Sequence, residues 1–119
     1  MRVTGIVANL RVADLAVAKG FYQDYLGLSV EEFNLGWVAR YTSPDRIASV
    51  QLVTKDATAV EDSVISVRVG AGVDDAFEEA RHRGFEIVHP LTDEQWGLRR
   101  FFVRAPDGTV INMAGHVDE

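Results

Sequence analysis

The feature that most constrains this chain is an internal repeat. Residues 3–12, VTGIVANLRV, alternate in the two-residue period of a half-buried strand, with Ile6, Ala8, Leu10 and Val12 on one face and Val7, Asn9 and Arg11 on the other. Asp14 follows where a helix N-cap belongs, Leu15, Ala18, Tyr22, Tyr25 and Leu26 recur at helical spacing, and Gly27 suits the left-handed C-terminal position. Gly20 inside this helix costs about 1 kcal/mol relative to alanine, and close packing is the expected reason for it. From Val64 the pattern restarts. VISVRV alternates, Val73, Ala76, Phe77 and Ala80 mark a helix, and Gly84 ends it. Val12 to Gly27 and Val69 to Gly84 each span fifteen positions, and each half closes on a hairpin turning at a Pro-Asp pair, Pro44-Asp45 and Pro106-Asp107.

The remaining elements complete the two copies. Residues 28–33, 36–42 and 47–54 read as strands of the first, and Lys55–Ser63, polar and without period, reads as a linker. In the second, residues 85–88 read as a strand, His89–Gly97 as a loop, and Arg100–Val103 with Thr109–Met113 as a hairpin about Pro106-Asp107-Gly108. The expected fold is α+β: one domain over 1–119 built of two βαβββ modules, about 1–54 and 64–115, joined by linker 55–63. A lone module would leave one sheet face bare, so the modules are expected to pair, with curled mixed sheets forming a cup.

Composition removes several classes of function. The 119 residues contain no cysteine, which excludes disulfides, thiolate catalysis and Cys-ligated zinc and agrees with a cytoplasmic location. A net charge of −6 argues against nucleic acid and anionic membranes as partners. No apolar run approaches the ~20 residues of a membrane span, and the N-terminal segment, broken by Asn9, Arg11 and Asp14, does not read as a signal peptide.

Strand alternation selects the candidate site. The faces turned away from the helices carry Asn9 and Gln51 in the first module and Ser66, Arg68 and Asn112 in the second. Trp37, Trp96 and Phe102 add large aromatic area at strand edges, suited to a flat ligand. His82 falls on a wet helix face, His89 in a loop and His116 in a tail. Gly70-Ala71-Gly72 lacks the third glycine of a phosphate loop and precedes Asp74-Asp75, so it reads as a turn. Neither a GxSxG nor a paired-cysteine motif is present, and the acidic pairs read as solvated faces.

Val12-Ala13-Asp14-Leu15, Phe21-Tyr22, Leu26-Gly27-Leu28 and Pro106-Asp107-Gly108 together resemble the vicinal oxygen chelate superfamily of glyoxalases, bleomycin resistance proteins and dioxygenases, over nearly the whole chain. The resemblance implies paired βαβββ modules, a cup and commonly a homodimer. It also implies four metal-ligand positions in the metalloenzymes, which fall here on Val7, Gln51, Val64 and Asn112. Valine has no lone pair, and neutral amides make a poor divalent site. The chain therefore resembles the branch that binds a drug or natural product without a cofactor. A homodimeric small-molecule-binding protein is expected, with Asn9, Trp37, Gln51, Ser66, Arg68, Trp96, Phe102 and Asn112 lining the site. A metal-dependent lyase, isomerase or dioxygenase with atypical ligands, and a ligand-free partner-binding dimer, are the rival readings.

Overall fold

A computed structural model describes residues 1–116. The order β1 (Gly5–Arg11), α1 (Leu15–Gly20), β2 (Val30–Asn34), β3 (Val38–Thr42), β4 (Ser49–Val53) is followed by β5 (Ile65–Arg68), α2 (Val73–His82), β6 (Ile87–Asp93), β7 (Leu98–Arg104), β8 (Val110–His116), which is βαβββ twice. The chain forms two compact units, residues 7–58 and residues 1–6 with 59–119.

In the first unit the strands lie in the order β2-β3-β4-β1. β1 runs parallel to β4 and the rest are antiparallel. Asp14 caps α1, its side chain accepting from the Val17 amide, and the helix then widens into a π-turn over Phe21–Tyr25. Gly20 stands at that changeover. A Cβ placed there would meet nothing within 4 Å, so close packing is not its reason. Leu10, Val12, Leu15, Ala18 and Tyr22 gather on buried Leu28, Ala39, Tyr41 and Leu52. Ile6 is not under the helix but 65% exposed. It precedes Ala8, where the pairing with β4 begins, and a six-residue helix is too short to cover the whole strand.

The second unit repeats the plan with order β5-β8-β7-β6, β5 parallel to β8. Its core packs Val73, Ala76, Ala80 and Phe77 of α2 on Val67, Phe101 and Met113, with the Phe77 and Phe101 rings edge to face at 5.2 Å. The expected loop His89–Gly97 is mostly strand, since β6 continues to Asp93 and only Glu94–Gly97 turns. Pro90 hid this extension. It donates no hydrogen bond, but β6 is an edge strand whose register shifts on both sides of His89, and both features tolerate proline. His116 is likewise no tail at its backbone, which ends β8 opposite Leu98.

Gly70-Ala71-Gly72 is a single 3-10 turn leading into α2. Its backbone packs on β8: a Cβ on Gly115 would stand 2.1 Å from the Gly70 carbonyl oxygen, so this contact requires glycine at 115.

Candidate functional site

In antiparallel pairs residues directly opposite share a face, and in both units the face away from the helix is polar and largely covered. In the first unit Arg40, Gln51 and Asn9 stand side by side on β3, β4 and β1. Gln51 Oε1 accepts from Arg40 Nε at 3.1 Å and Nη2 at 2.8 Å, and Gln51 Nε2 donates to Asn9 Oδ1 at 2.7 Å. The Arg40 guanidinium also lies 5.2 Å over the Phe33 ring and within 3.7 Å of Glu32. Asn9 and Gln51 are thus brought together as expected. The residue that organises them, Arg40, had no sequence signal beyond its alternation with Ala39 and Tyr41. Trp37 is half-buried just before β3, its carbonyl accepting from the Thr54 hydroxyl. On the helix side of this sheet the Tyr41 hydroxyl donates to Glu31 at 2.7 Å. Burial and that carboxylate push the Tyr41 phenol up to about 12.

In the second unit His89, Phe102, Asn112 and Ser66 form one row across β6, β7, β8 and β5. Asn112 Nδ2 donates to Ser66 Oγ at 3.0 Å, while Asn112 Oδ1 is buried without a hydrogen-bond partner. An unsatisfied buried acceptor costs about 1–3 kcal/mol, so such an atom calls for an explanation. Phe102 is fully buried beneath Ala59, which also rests on Val110. The segment read as a plain linker therefore lays a side chain on this face.

Beside the row lies a buried charged cluster. Arg100 Nε donates to Glu94 Oε2 at 2.7 Å, and His89 Nε2 stands 3.1 Å from the same oxygen. All three residues are less than a tenth exposed. The Arg100 guanidinium lies 5.1 Å over the Trp96 ring and 4.7 Å over the Phe102 ring, two cation–π contacts. Trp96 and Phe102 thus share one cation, Arg100, which lies over both rings. His89 is a correction: placed in a loop from sequence, it is buried on a strand against a carboxylate. Glu94 gave no signal, because only the turn at Glu94–Gly97 brings it over Arg100. Arg68 follows Ser66 on the same face of β5, opposite Ala114. It is exposed, and its guanidinium packs over Gly5, where a Cβ would stand 2.5 Å from Nη2.

The metal positions implied by the resemblance do not fit a divalent ion. In the first unit Val7 offers no donor, and the Gln51 oxygen already accepts two bonds from a cation that would repel another. In the second, Val64 offers none and Asn112 a single amide oxygen. Among the described residues no group of three or more His, Asp or Glu side chains is placed to hold a metal, and no helix is long and apolar enough to cross a membrane.

Residues 5–113 match the profile of the Glyoxalase/Bleomycin resistance protein/Dioxygenase superfamily, and the chain belongs to that superfamily. A search of curated proteins gave no match. Among solved structures, methylmalonyl-CoA epimerase from Mycobacterium tuberculosis is 26% identical with a TM-score of 0.69, over 97% of this chain and 89% of that one. An uncharacterised protein from Methanosarcina mazei is 25% identical with a TM-score of 0.70, over 100% and 97%. A glyoxalase/bleomycin resistance protein/dioxygenase superfamily member from Vibrio splendidus 12B01, 16% identical with a TM-score of 0.68 over 96% and 99%, shares the fold.

Proposed function

We propose that this superfamily member binds a small molecule, such as an antibiotic, on the helix-free face of the second unit, without a resident metal. The observation that carries the reading is the Asn112 carbonyl oxygen, buried without a partner beside Ser66 and Phe102. A ligand donating one hydrogen bond to it would recover the cost of that orphan, while Phe102 and Trp96 supply flat apolar area. Entry requires the segment around Ala59 to lift from Phe102 and Val110. The polar row of Asn9, Gln51 and Arg40 in the first unit is internally satisfied, so on this reading it supports its strands rather than the ligand. The protein works as a homodimer in the cytoplasm, where a chain without cysteine needs no oxidising environment.

Similarity to an epimerase favours a second reading, an enzyme of the superfamily, and the chemistry of the four positions weighs against its metal-dependent form. The two separate in one set of measurements. In a thermal-shift screen at least one small molecule should raise the melting temperature, by the equivalent of about 2.7 kcal/mol at a hundred times its Kd. The rise should vanish in Asn112→Ala. Elemental analysis of protein purified without chelators should show less than stoichiometric metal. A stoichiometric divalent metal, or a ligand indifferent to Asn112→Ala, defeats the proposal. Sedimentation should give twice the 13.1 kDa chain mass.

A further inference from the structure

We infer that the ligand is a monoanionic organic acid: its carboxylate sits on Arg68 at the rim of the helix-free face, and a flat spacer carries an N–H or O–H donor to the Asn112 carbonyl oxygen. The inference rests on the binding reading above and adds the chemistry of what is bound. Arg68 follows Ser66 by two residues on β5, so the two share a face, and it stands opposite Ala114 as Ser66 stands opposite Asn112. The arginines of β7 are committed, since Arg99, Arg100 and Arg104 each hold a carboxylate at 2.6 or 2.7 Å. Arg68 is exposed, and its guanidinium holds no carboxylate among the described residues. It is nonetheless seated. The guanidinium rests against the Gly5 backbone, where a Cβ would stand 2.5 Å from Nη2 and 2.8 Å from Nε. The Thr4 amide donates to the Arg68 carbonyl at 2.8 Å, which fixes that backbone beside β5. A cation already held in place loses little side-chain freedom when an anion arrives.

The far end of the ligand is set by Asn112 Oδ1, which is buried without a partner and accepts from any donor. Two residues along a strand and one step to the next strand put the two anchors about 8 Å apart at their backbones. On β8 only the methyl group of Ala114 follows Asn112 on that face before the glycine. A fused two-ring acid with its donor and its carboxylate at opposite ends spans such a distance. The charge on offer selects the acid. A guanidinium fork matches both oxygens of a carboxylate, and one guanidinium neutralises one charge. A phosphate monoester brings about 1.5–2 charges at neutral pH, and the excess would stand in a chain whose net charge is already −6. Arg100 does not supply the second cation, because it already holds Glu94 and lies against two rings.

Three probes test this. Indole-5-carboxylate carries an N–H at one end and a carboxylate at the other, indole lacks the acid, and 2-naphthoate lacks the donor. Each is titrated into the isotope-labelled full chain while the Arg68 Nε–H and Asn112 side-chain amide signals are followed by NMR. Indole-5-carboxylate should move both signals saturably and bind at least about threefold tighter than either fragment, while 2-naphthoate moves Arg68 and indole moves Asn112. Arg68→Gln changes an exposed side chain and leaves the fold intact. It should weaken indole-5-carboxylate by about three- to tenfold, the worth of one partly exposed charge-assisted hydrogen bond, and leave indole unchanged. Added salt should likewise weaken the acid and spare indole. Asn112→Leu should weaken indole-5-carboxylate and indole alike, and undiminished binding of 2-naphthoate is the check that this variant has kept its fold. If indole-5-carboxylate binds Arg68→Gln as tightly as wild type, or binds no tighter than indole, the carboxylate assignment is overturned, and indole binding that still depends on Asn112 then leaves the site itself in place. Silence from all three probes also overturns it. If no screened compound depends on Asn112 either, the binding reading falls as well.

Discussion

Glu94 and Arg100 are 4% and 3% exposed at their side chains, a depth at which charges persist only when paired. Removing Glu94 takes from a guanidinium buried between two rings the carboxylate it holds at 2.7 Å, and takes away the partner of His89. Glu94→Ala should therefore destabilise the fold by about 3–5 kcal/mol. The double variant Glu94→Leu/Arg100→Met, which buries no charge, should cost clearly less than the single change. Urea unfolding of the three proteins decides it, and a double variant worse than Glu94→Ala would show that the ion pair itself holds the site. Arg99 and Arg104 look similar in sequence but differ in kind. Arg99 pairs with Asp74 and Asp93, and Arg104 with Glu61 and Glu86, all at the surface, where such pairs are worth about 0–1 kcal/mol.

Two glycines within helical and strand elements make opposite predictions. Gly20 has helical backbone angles, φ −58° and ψ −43°, and open space where a Cβ would go. Gly20→Ala should stabilise the protein by about 0.5–1 kcal/mol, through the entropy of the unfolded chain and helix propensity. Gly115 in β8 has the Gly70 carbonyl oxygen 2.1 Å from its would-be Cβ and the Val73 Cβ at 3.2 Å. Gly115→Ala must push the turn before α2 away from the sheet, at about 1–3 kcal/mol or more. Thermal melts of the pair should move in opposite directions; a stable Gly115→Ala would mean that the turn yields freely. The elements themselves were readable. The strand period, the Asp14 cap and Gly27 and Gly84, both at φ 75°, mark β1, α1 and α2 in the chain alone, because each is a local matter of backbone geometry. The length of β6 was not, because a proline tolerated only at a sheet edge looks like a loop until the strand order is known.

For the molecule as a whole, hydrogen bonds to surface carboxylates set the response to acid. Bonding from Tyr41 and then Asn34 holds Glu31 below its ordinary value, the Ser43 hydroxyl and Ile47 amide do so for Asp45, and the Thr109 amide and hydroxyl for Asp107. A depressed folded-state value means that the unfolded chain takes up protons first. The stability is present above the ordinary carboxylate range and is lost as pH falls through the folded values. The melting temperature should fall on acidification below about pH 4, and Asp45→Asn/Asp107→Asn should flatten the fall. An unchanged slope in that variant would place the acid sensitivity elsewhere. Fold class, superfamily resemblance and the faces that carry Asn9 and Gln51 in one unit and Ser66 and Asn112 in the other could be had from the chain alone. They depend on alternation, turn residues and spacing along it, and the Val7, Gln51, Val64 and Asn112 substitutions could be read at single positions. Which of those polar groups is already satisfied could not. The pairing of Gln51 with Arg40, the buried His89–Glu94–Arg100 cluster and the unpartnered oxygen of Asn112 join residues on separate strands and turns. Hydrogen-bond demand is settled only where the folded chain brings donors and acceptors within about 3 Å.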